Sequence, residues 1–337
     1  MREGAKFAPM TAPARSLIGL DIGGTKIACV EGTGTGHILQ RSELPTEAAR
    51  PFNQTFPSIV EAIERQLHTA HSAGREIIAL SVAVGGPLNI EQGVLHNPPH
   101  LPGWHNLGLK QRLMQAFPGL PVYVEHDGNA GALAEFHFGA GSSRPGIRHL
   151  IFLTFGTGLG AGFIIDGRVL HGASDTAGEI GHWRLSREGP EGYGKRGSWE
   201  GFASGAGLVQ LARQMFPQRW GAQTSIRELA DAMLGDDAEA LSVAAAAGNR
   251  MGQGLALLVD ALNPQLIVLG SLAVLLGERV LAPARQVVAR EALPAAAAAC
   301  EIVAAQLGMR IGDVAALMAA LRNERVLGLL AATAAPQ

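Results

Sequence analysis

Apolar and polar positions along this chain fall into a few rhythms, and the clearest is an apolar run, a glycine turn and a second apolar run. Residues 17–30, LIGLDIGGTKIACV, show it once, with Asp21-Ile22-Gly23-Gly24-Thr25 at the turn. Residues 151–165, IFLTFGTGLGAGFII, show it again, with Thr154 and then Gly156-Thr157-Gly158-Leu159-Gly160. Short β-rich runs joined by glycine read as hairpins. Laid together, Asp21 matches Thr154, Gly23 matches Gly156 and Thr25 matches Gly158. The repeat predicts a duplicated α/β fold with one glycine-turned hairpin in each half.

The rest of the pattern fills in around these hairpins. Ile59, Ile63 and Leu67 recur at helical spacing and predict a helix over about 56–71. Residues 77–84 are a near-continuous apolar run, as in a buried parallel strand, and stop at Gly85-Gly86-Pro87. Ligands of open α/β sheets sit at such carboxyl ends. Residues 95–104, LHNPPHLPGW, predict an irregular surface loop, and residues 111–117 the end of a helix. Residues 121–125 predict a strand that delivers His126-Asp127-Gly128-Asn129 to a helix over about 130–138. Helices are expected from 208 to 262, broken near 217–224 and 235–237, with Ser204 in a capping position. Two more strands, 266–270 and 302–306, precede a helix over 313–321. Residues 255–276 resemble a membrane span in hydropathy, but Asp260, Asn263 and Pro264 interrupt them. A helix, a turn and a buried strand are expected there.

The turns carry the first candidate chemistry. Three glycines in five residues expose consecutive backbone N–H groups with no Cβ in the way, a nest for phosphate. Any hairpin uses glycine, so one such turn says little; two in matching context favour phosphate binding. Gly156–Ala161 also fits the loose dinucleotide pattern, but that motif opens a helix, and a strand follows here. Residues 189–195, GPEGYGK, have the spacing of a P-loop, but Arg196 replaces its Ser/Thr and no strand leads in. Asp127 lies where a strand becomes a helix. It reads as a helix cap or, beside two phosphate turns, as a carboxylate that takes the proton of an attacking hydroxyl. Glu179 and His182 share a face if helical and together suit vicinal hydroxyls, although a structural histidine fits position 182 as well.

Composition narrows the class. The 337 residues suffice for two domains, and 47% hydrophobic with 17% charged residues indicates a soluble globular protein. A net charge of −2 gives no reason to expect nucleic acid or an anionic membrane as a partner. Cys29 and Cys300 cannot form a disulfide framework, which fits a reducing cytoplasm. Residues 1–16 lack the apolar stretch of a signal peptide and read as a mobile tail.

The segments LDIGGTK, HDGNAGALAE (126–135), LTFGTGLGAG and AGEIGH, in this order and spacing, resemble the ROK sugar kinases from about residue 17 to about 321. That resemblance implies an actin-like ATPase (ribonuclease H-like) α/β fold: two duplicated domains around a central cleft. One domain would comprise 17–120 with 308–330, the other 121–307. It implies transfer of the γ-phosphate of ATP to a hexose hydroxyl, with glucose the first candidate, and Asp127 as general base. Asp21, Gly23, Gly24, Thr25, Lys26, Thr154, Gly156, Thr157 and Gly158 would hold phosphates, with Gly270 near the adenosine and Mg²⁺ near Asp21. Gly86, Asn97, Asn129, Glu179, His182 and Glu200 would contact sugar. The resemblance also implies a homodimer or homotetramer.

Two departures stand out. His126 stands where relatives carry a sugar-contacting asparagine. Residues 189–200, GPEGYGKRGSWE, lack the cysteines of the relatives' zinc loop, so no zinc is expected, and packing of Trp183, Tyr193 and Trp199 is expected to order the loop instead. Three rival readings remain: a kinase using polyphosphate or another hexose, a silent sugar-binding protein, and a sugar-responsive regulator. The last would need a DNA-binding segment ahead of residue 17.

Overall fold

The computed structural model describes residues 13–331, so most of the tail expected over 1–16 lies outside the described residues. The chain is already a strand at Ala14, earlier than the apolar run implies. This first strand, β1 (Ala14–Ile22), pairs in parallel with β4 (Arg75–Val84) from its polar start, Ala14 opposite Arg75. Buried Glu31 ties that start together, accepting from Ser16 Oγ (2.7 Å) and from Arg75 Nε and Nη2 (2.6 and 2.8 Å).

Two five-stranded sheets share one topology. In the first, β3 (Ile38–Pro45), β2 (Lys26–Gly32), β1, β4 and β5 (Val122–His126) lie in that order. The antiparallel β1–β2 hairpin, with β3 outside it, is followed by parallel β4 and β5. In the second, β8 (Arg168–Val169), β7 (Ala161–Ile165), β6 (Leu150–Leu153), β9 (Leu266–Leu269) and β10 (Glu301–Ala304) repeat the arrangement. Again a hairpin is followed by two parallel strands. This is the duplicated α/β fold that the paired glycine hairpins predict, in the actin-like form that the family resemblance implies.

Each sheet sends its last strand into a helix that packs on the other. The helix Asp127–Phe138 follows β5 and lies on the second sheet, where Gly128 and Gly162 touch so closely that a Cβ on Gly162 would fall on the Gly128 carbonyl. The helix Ile311–Leu321 follows β10 and lies on the first sheet; Ala316 crowds Gly19, and the Ala320 N–H donates to Ser81 Oγ at 3.1 Å. The two crossing helices share an apolar cluster that includes Ala130, Leu133, Phe152, Val314 and Leu317. Buried Glu135 fastens one end of the crossing, accepting from Leu307 N–H (2.9 Å) and Gln306 N–H (3.2 Å). Those bonds explain why β10 stops at Ala304, short of the strand expected to 306.

Other boundaries move for local reasons. The first long helix runs Phe52–Ser72, four residues earlier than the spacing predicts, because Phe52 is buried against Trp104 (4.9 Å, edge-on). The apolar stretch 255–276 is a helix end, a left-handed Asn263 and buried β9. Among the described residues no helix is long and apolar enough to cross a membrane.

Overpacking a close backbone approach costs typically about 1–3 kcal/mol. Gly162→Ala is therefore expected to lower the unfolding free energy by that amount and with it the urea midpoint, while Gly221→Ala, which meets nothing within 4 Å, leaves both unchanged. Equal midpoints for the two variants would refute the tight crossing.

Candidate active site

The first turn is closed by its own backbone: Gly23 N–H donates to the Lys26 carbonyl (3.0 Å), and Thr46 Oγ1 donates to the Gly23 carbonyl (2.6 Å). Gly24 and Thr25 form its tip. Lys26 does not offer a free charge, because its Nζ pairs with Glu43 at 3.0 Å. Asp21, at the end of β1, sits in a setting hostile to a second negative charge. Burial first, then the charges of Asp127 and Asp313, push its carboxyl up to about 6, against the opposing pull of Lys26 and Arg41. Gly312, at the start of the crossing helix, has no Cβ to collide with the Asp21 carboxylate. Asp313 is itself held by Arg41 Nε at 3.0 Å.

The second turn is tighter than the glycines alone suggest. Thr154 Oγ1 accepts from Gly160 N–H at 2.9 Å, and Gly156 N–H donates to the Gly158 carbonyl at 3.0 Å. Thr157 is exposed at the tip. Gly270 continues β9 beside it, donating to Leu153 O at 2.8 Å, and Ser271 follows with a left-handed φ of 41°. One residue lies against both turns: His100, whose carbonyl would meet a Cβ on Gly24 and whose Nε2 would meet one on Gly158. Sequence reading places the sugar contact of this loop at Asn97 instead. Asn97 is exposed, and its side chain makes no hydrogen bond to another described residue. The only prior signal for His100 was its place in a proline-fixed loop.

Asp127 is in the first helical turn rather than capping it. His126 is the cap: its Nδ1 accepts from Gly128 N–H (3.2 Å). The same N–H donates to Asp127 Oδ1 at 2.7 Å. Among the described residues no donor bonds Oδ2, and the side chain is 46% exposed. His126 Nε2 faces Glu179 Oε1 at 3.7 Å, and its ring packs where a Cβ on Gly86 would lie. Asn129 is buried, and its amide donates to Glu125 Oε1 at 3.0 Å, so this residue is engaged with the fold on its donor side.

Glu179 leads a single 3-10 turn, Ile180–His182, and exposed His182 stacks on Tyr193 (ring centres 3.9 Å apart). Glu200, in the short helix Trp199–Phe202, accepts from Leu159 N–H at 2.9 Å and lies against Gly158. Burial raises its carboxyl above the usual range, aided by the charge of Glu179, while the Leu159 N–H, His100 and His182 oppose that rise. The structure thus brings Glu179, His182 and Glu200 to the second turn. Trp183 stacks on Trp199 (5.6 Å), but Tyr193 packs on His182 rather than on the tryptophans, because Gly181 leaves room for its ring there. Among the described residues no group of three or more His, Cys, Asp or Glu side chains is placed to hold a metal ion.

Known proteins resemble the chain over most of its length. The ROK family model matches residues 17–322. The chain is 34% identical to a glucokinase of Streptomyces coelicolor, over 89% of this chain and 95% of that one. It is 31% identical to a glucokinase of Halalkalibacterium halodurans, over 89% and 93%. The crystal structure of a ROK family glucokinase from Streptomyces griseus, in complex with glucose and AMPPNP, superposes with a TM-score of 0.75 at 31% identity, covering 91% of this chain and all of that one. With two matching sheets, two glycine turns and a family match over nearly its whole described length, the chain belongs to the ROK family.

Proposed function

We propose that this protein is an ATP-dependent glucokinase, transferring the γ-phosphate to the 6-hydroxyl of glucose with Asp127 as general base. One observation carries the reading. Asp127 is half-exposed at the strand–helix junction, fixed through Oδ1 by Gly128 N–H, with Oδ2 unbonded among the described residues. Its charge is felt at Asp21 on the phosphate side and at Tyr193, beside Glu179, on the other. A carboxylate so placed can accept a hydroxyl proton as the oxygen attacks phosphorus. The open N–H groups of the two turns receive phosphate oxygens, and Glu179, His182 and Glu200 orient the sugar.

The neighbourhood of Asp21 fits a nucleotide-borne Mg²⁺. Of the three acidic groups there, Asp313 is paired with Arg41, while Asp21 and Asp127 have no Lys or Arg partner among the described residues; they do not form a complete protein cage, the usual situation for Mg²⁺ shared with phosphates. Bound with the nucleotide, the ion would neutralise phosphate charge, with Asp21 holding it directly or through water. Closure of the proposed units, 17–120 with 308–330 against 121–307, would exclude water that competes with the sugar. A screen of hexoses with ATP and with polyphosphate, with and without Mg²⁺, tests the whole reading: glucose- and ATP-dependent ADP release is expected.

Asp127→Asn is expected to lower kcat by at least ~10²-fold, the low end of general-base effects, with the sugar KM nearly unchanged. Coupled ADP release measures it; near-wild-type turnover would refute the role. Asp21 links pH to both activity and stability. Its carboxyl must ionise to serve the cation, so kcat/KM should fall as pH drops below about 6. Because its folded value lies above the unfolded 3.8, ionisation disfavours the folded state: stability falls as pH rises from 3.8 to about 6 and stays lower above that. Asp21→Asn should therefore inactivate the enzyme yet stabilise the ligand-free protein at pH 7.5, by up to about 3 kcal/mol in urea unfolding. A destabilised Asn variant would contradict the electrostatic account.

A further inference from the structure

The hairpin at residues 191–196 has a strained tip. Glu191–Gly192 pairs with Lys195–Arg196 across a two-residue turn, Tyr193-Gly194, with φ of 55° and 65°. Such turns need left-handed backbone at both positions, which Asn-Gly supplies with least strain and a bulky aromatic does not. An unfavourable residue kept at such a tip points to work done by its side chain.

That side chain reaches two of the proposed sugar contacts at once. Tyr193 Oη donates to Glu179 Oε2 at 3.2 Å, and the ring lies on His182 with centres 3.9 Å apart. Gly181, between those two residues, leaves the space the ring fills: a Cβ there would come within 2.8 Å of Tyr193 Cε2. Burial first and then the Glu179, Glu200 and Asp127 charges raise the phenol's pKa, so it remains an uncharged donor beside the carboxylates. The hairpin is also anchored well enough to act as a brace. Gln210 brackets Glu191 through both backbone groups (2.9 and 2.8 Å), Ser198 Oγ donates to the Gly192 carbonyl (3.0 Å), and Lys195 Nζ donates to the His182 carbonyl (2.7 Å).

Building on the kinase reading, we propose that Tyr193 is a positioning residue for the sugar, clamping Glu179 by its hydroxyl and His182 by its ring into one preset arrangement. The hydroxyl fixes the carboxylate rotamer so that its second oxygen is presented to a sugar hydroxyl. The ring stops exposed His182 from sampling other rotamers. The clamp lies on the sugar side of the site, so the ATP interaction is independent of it.

The test uses full-length wild type, Tyr193→Phe and Tyr193→Asn, with sugar and ATP kinetics, glucose affinity by calorimetry, and melting temperature. Tyr193→Asn suits the turn and should melt at or above the wild-type temperature. Its glucose KM and Kd should nonetheless rise about tenfold or more, from loss of a charge-assisted hydrogen bond and a ring contact. Its ATP KM should stay unchanged and kcat should change little. Tyr193→Phe, which keeps the ring, should recover part of the loss. Wild-type glucose affinity in Tyr193→Asn would overturn the proposal. So would a parallel fall in melting temperature, kcat and both affinities, which marks a merely structural residue. Wild type that binds glucose without turnover would overturn the kinase reading alone, since the Kd comparison still judges Tyr193; wild type that does neither overturns both.

Discussion

The position of Asp127 depends on a carboxylate that never meets solvent. Glu125, one residue before the helix cap and fully buried, accepts from His126 N–H and Asn129 Nδ2 at 3.0 Å each, from His171 Nε2 at 3.0 Å, and pairs with Arg322 Nε at 3.2 Å. Burial alone would raise its carboxyl; the His171 bond and the Arg322 charge outweigh that and hold it below the usual range. Burying an anion is tolerable only when its oxygens are fully partnered, and removing one partner of such a pair is much worse than replacing both. The four partners come from the helix start, from the segment after the second hairpin and from the end of the other crossing helix. One buried charge thus ties the start of the Asp127–Phe138 helix to the end of the other crossing helix and to the segment after the second hairpin.

The cleft reverses this logic. Glu125 has its cations inside the protein, whereas Asp21 faces Asp127 and Asp313 with only partial compensation, and Glu200 is likewise raised by burial and by Glu179. Like charges left close together without counter-charge are costly, and such cost is concentrated where a ligand relieves it. On the proposed reading, a nucleotide bringing a divalent cation would relieve it at Asp21, and a sugar bringing hydroxyl donors would relieve it at Glu179 and Glu200. Lys26 is paired with Glu43, so on the proposed reading the turn would attract phosphate through backbone N–H groups and a borne cation rather than through a lysine.

The sequence made the scaffold legible because glycine turns and apolar runs obey local rules. The two hairpins, the parallel strands behind them, Ser204 as a cap and the break between β9 and its preceding helix all follow from spacing, and the sheets bear them out. What it hid was long-range. His126 caps the helix as an imidazole, a role sequence rules reserve for Ser, Thr, Asp and Asn. β1 starts in polar residues because Glu31 and Arg75 lie next to them in space. His100 and Tyr193 gain meaning only when the loop 95–104 and the hairpin 191–196 are folded onto the second turn. Glu125 and Glu135 are ordinary acidic positions until the crossing helices enclose them.

The duplication itself sets a limit on symmetry. Both halves repeat one strand order, and Asp21 corresponds to Thr154, yet the hydroxyl of Thr154 is used within its own turn, accepting from Gly160 N–H. On the proposed reading, a second carboxylate at that position would face the nucleotide's phosphates from the other side, next to Glu200, which already lies against Gly158 with a raised pKa. With one acidic turn, the proposed site would hold a cation at one end of the phosphate chain and leave the other turn as a neutral donor nest. Two acidic turns would repel the phosphates that the N–H groups attract. In the proposed kinase the repeated backbone would therefore supply the grip, and the divergence between Asp21 and Thr154 would give that grip a direction along the nucleotide.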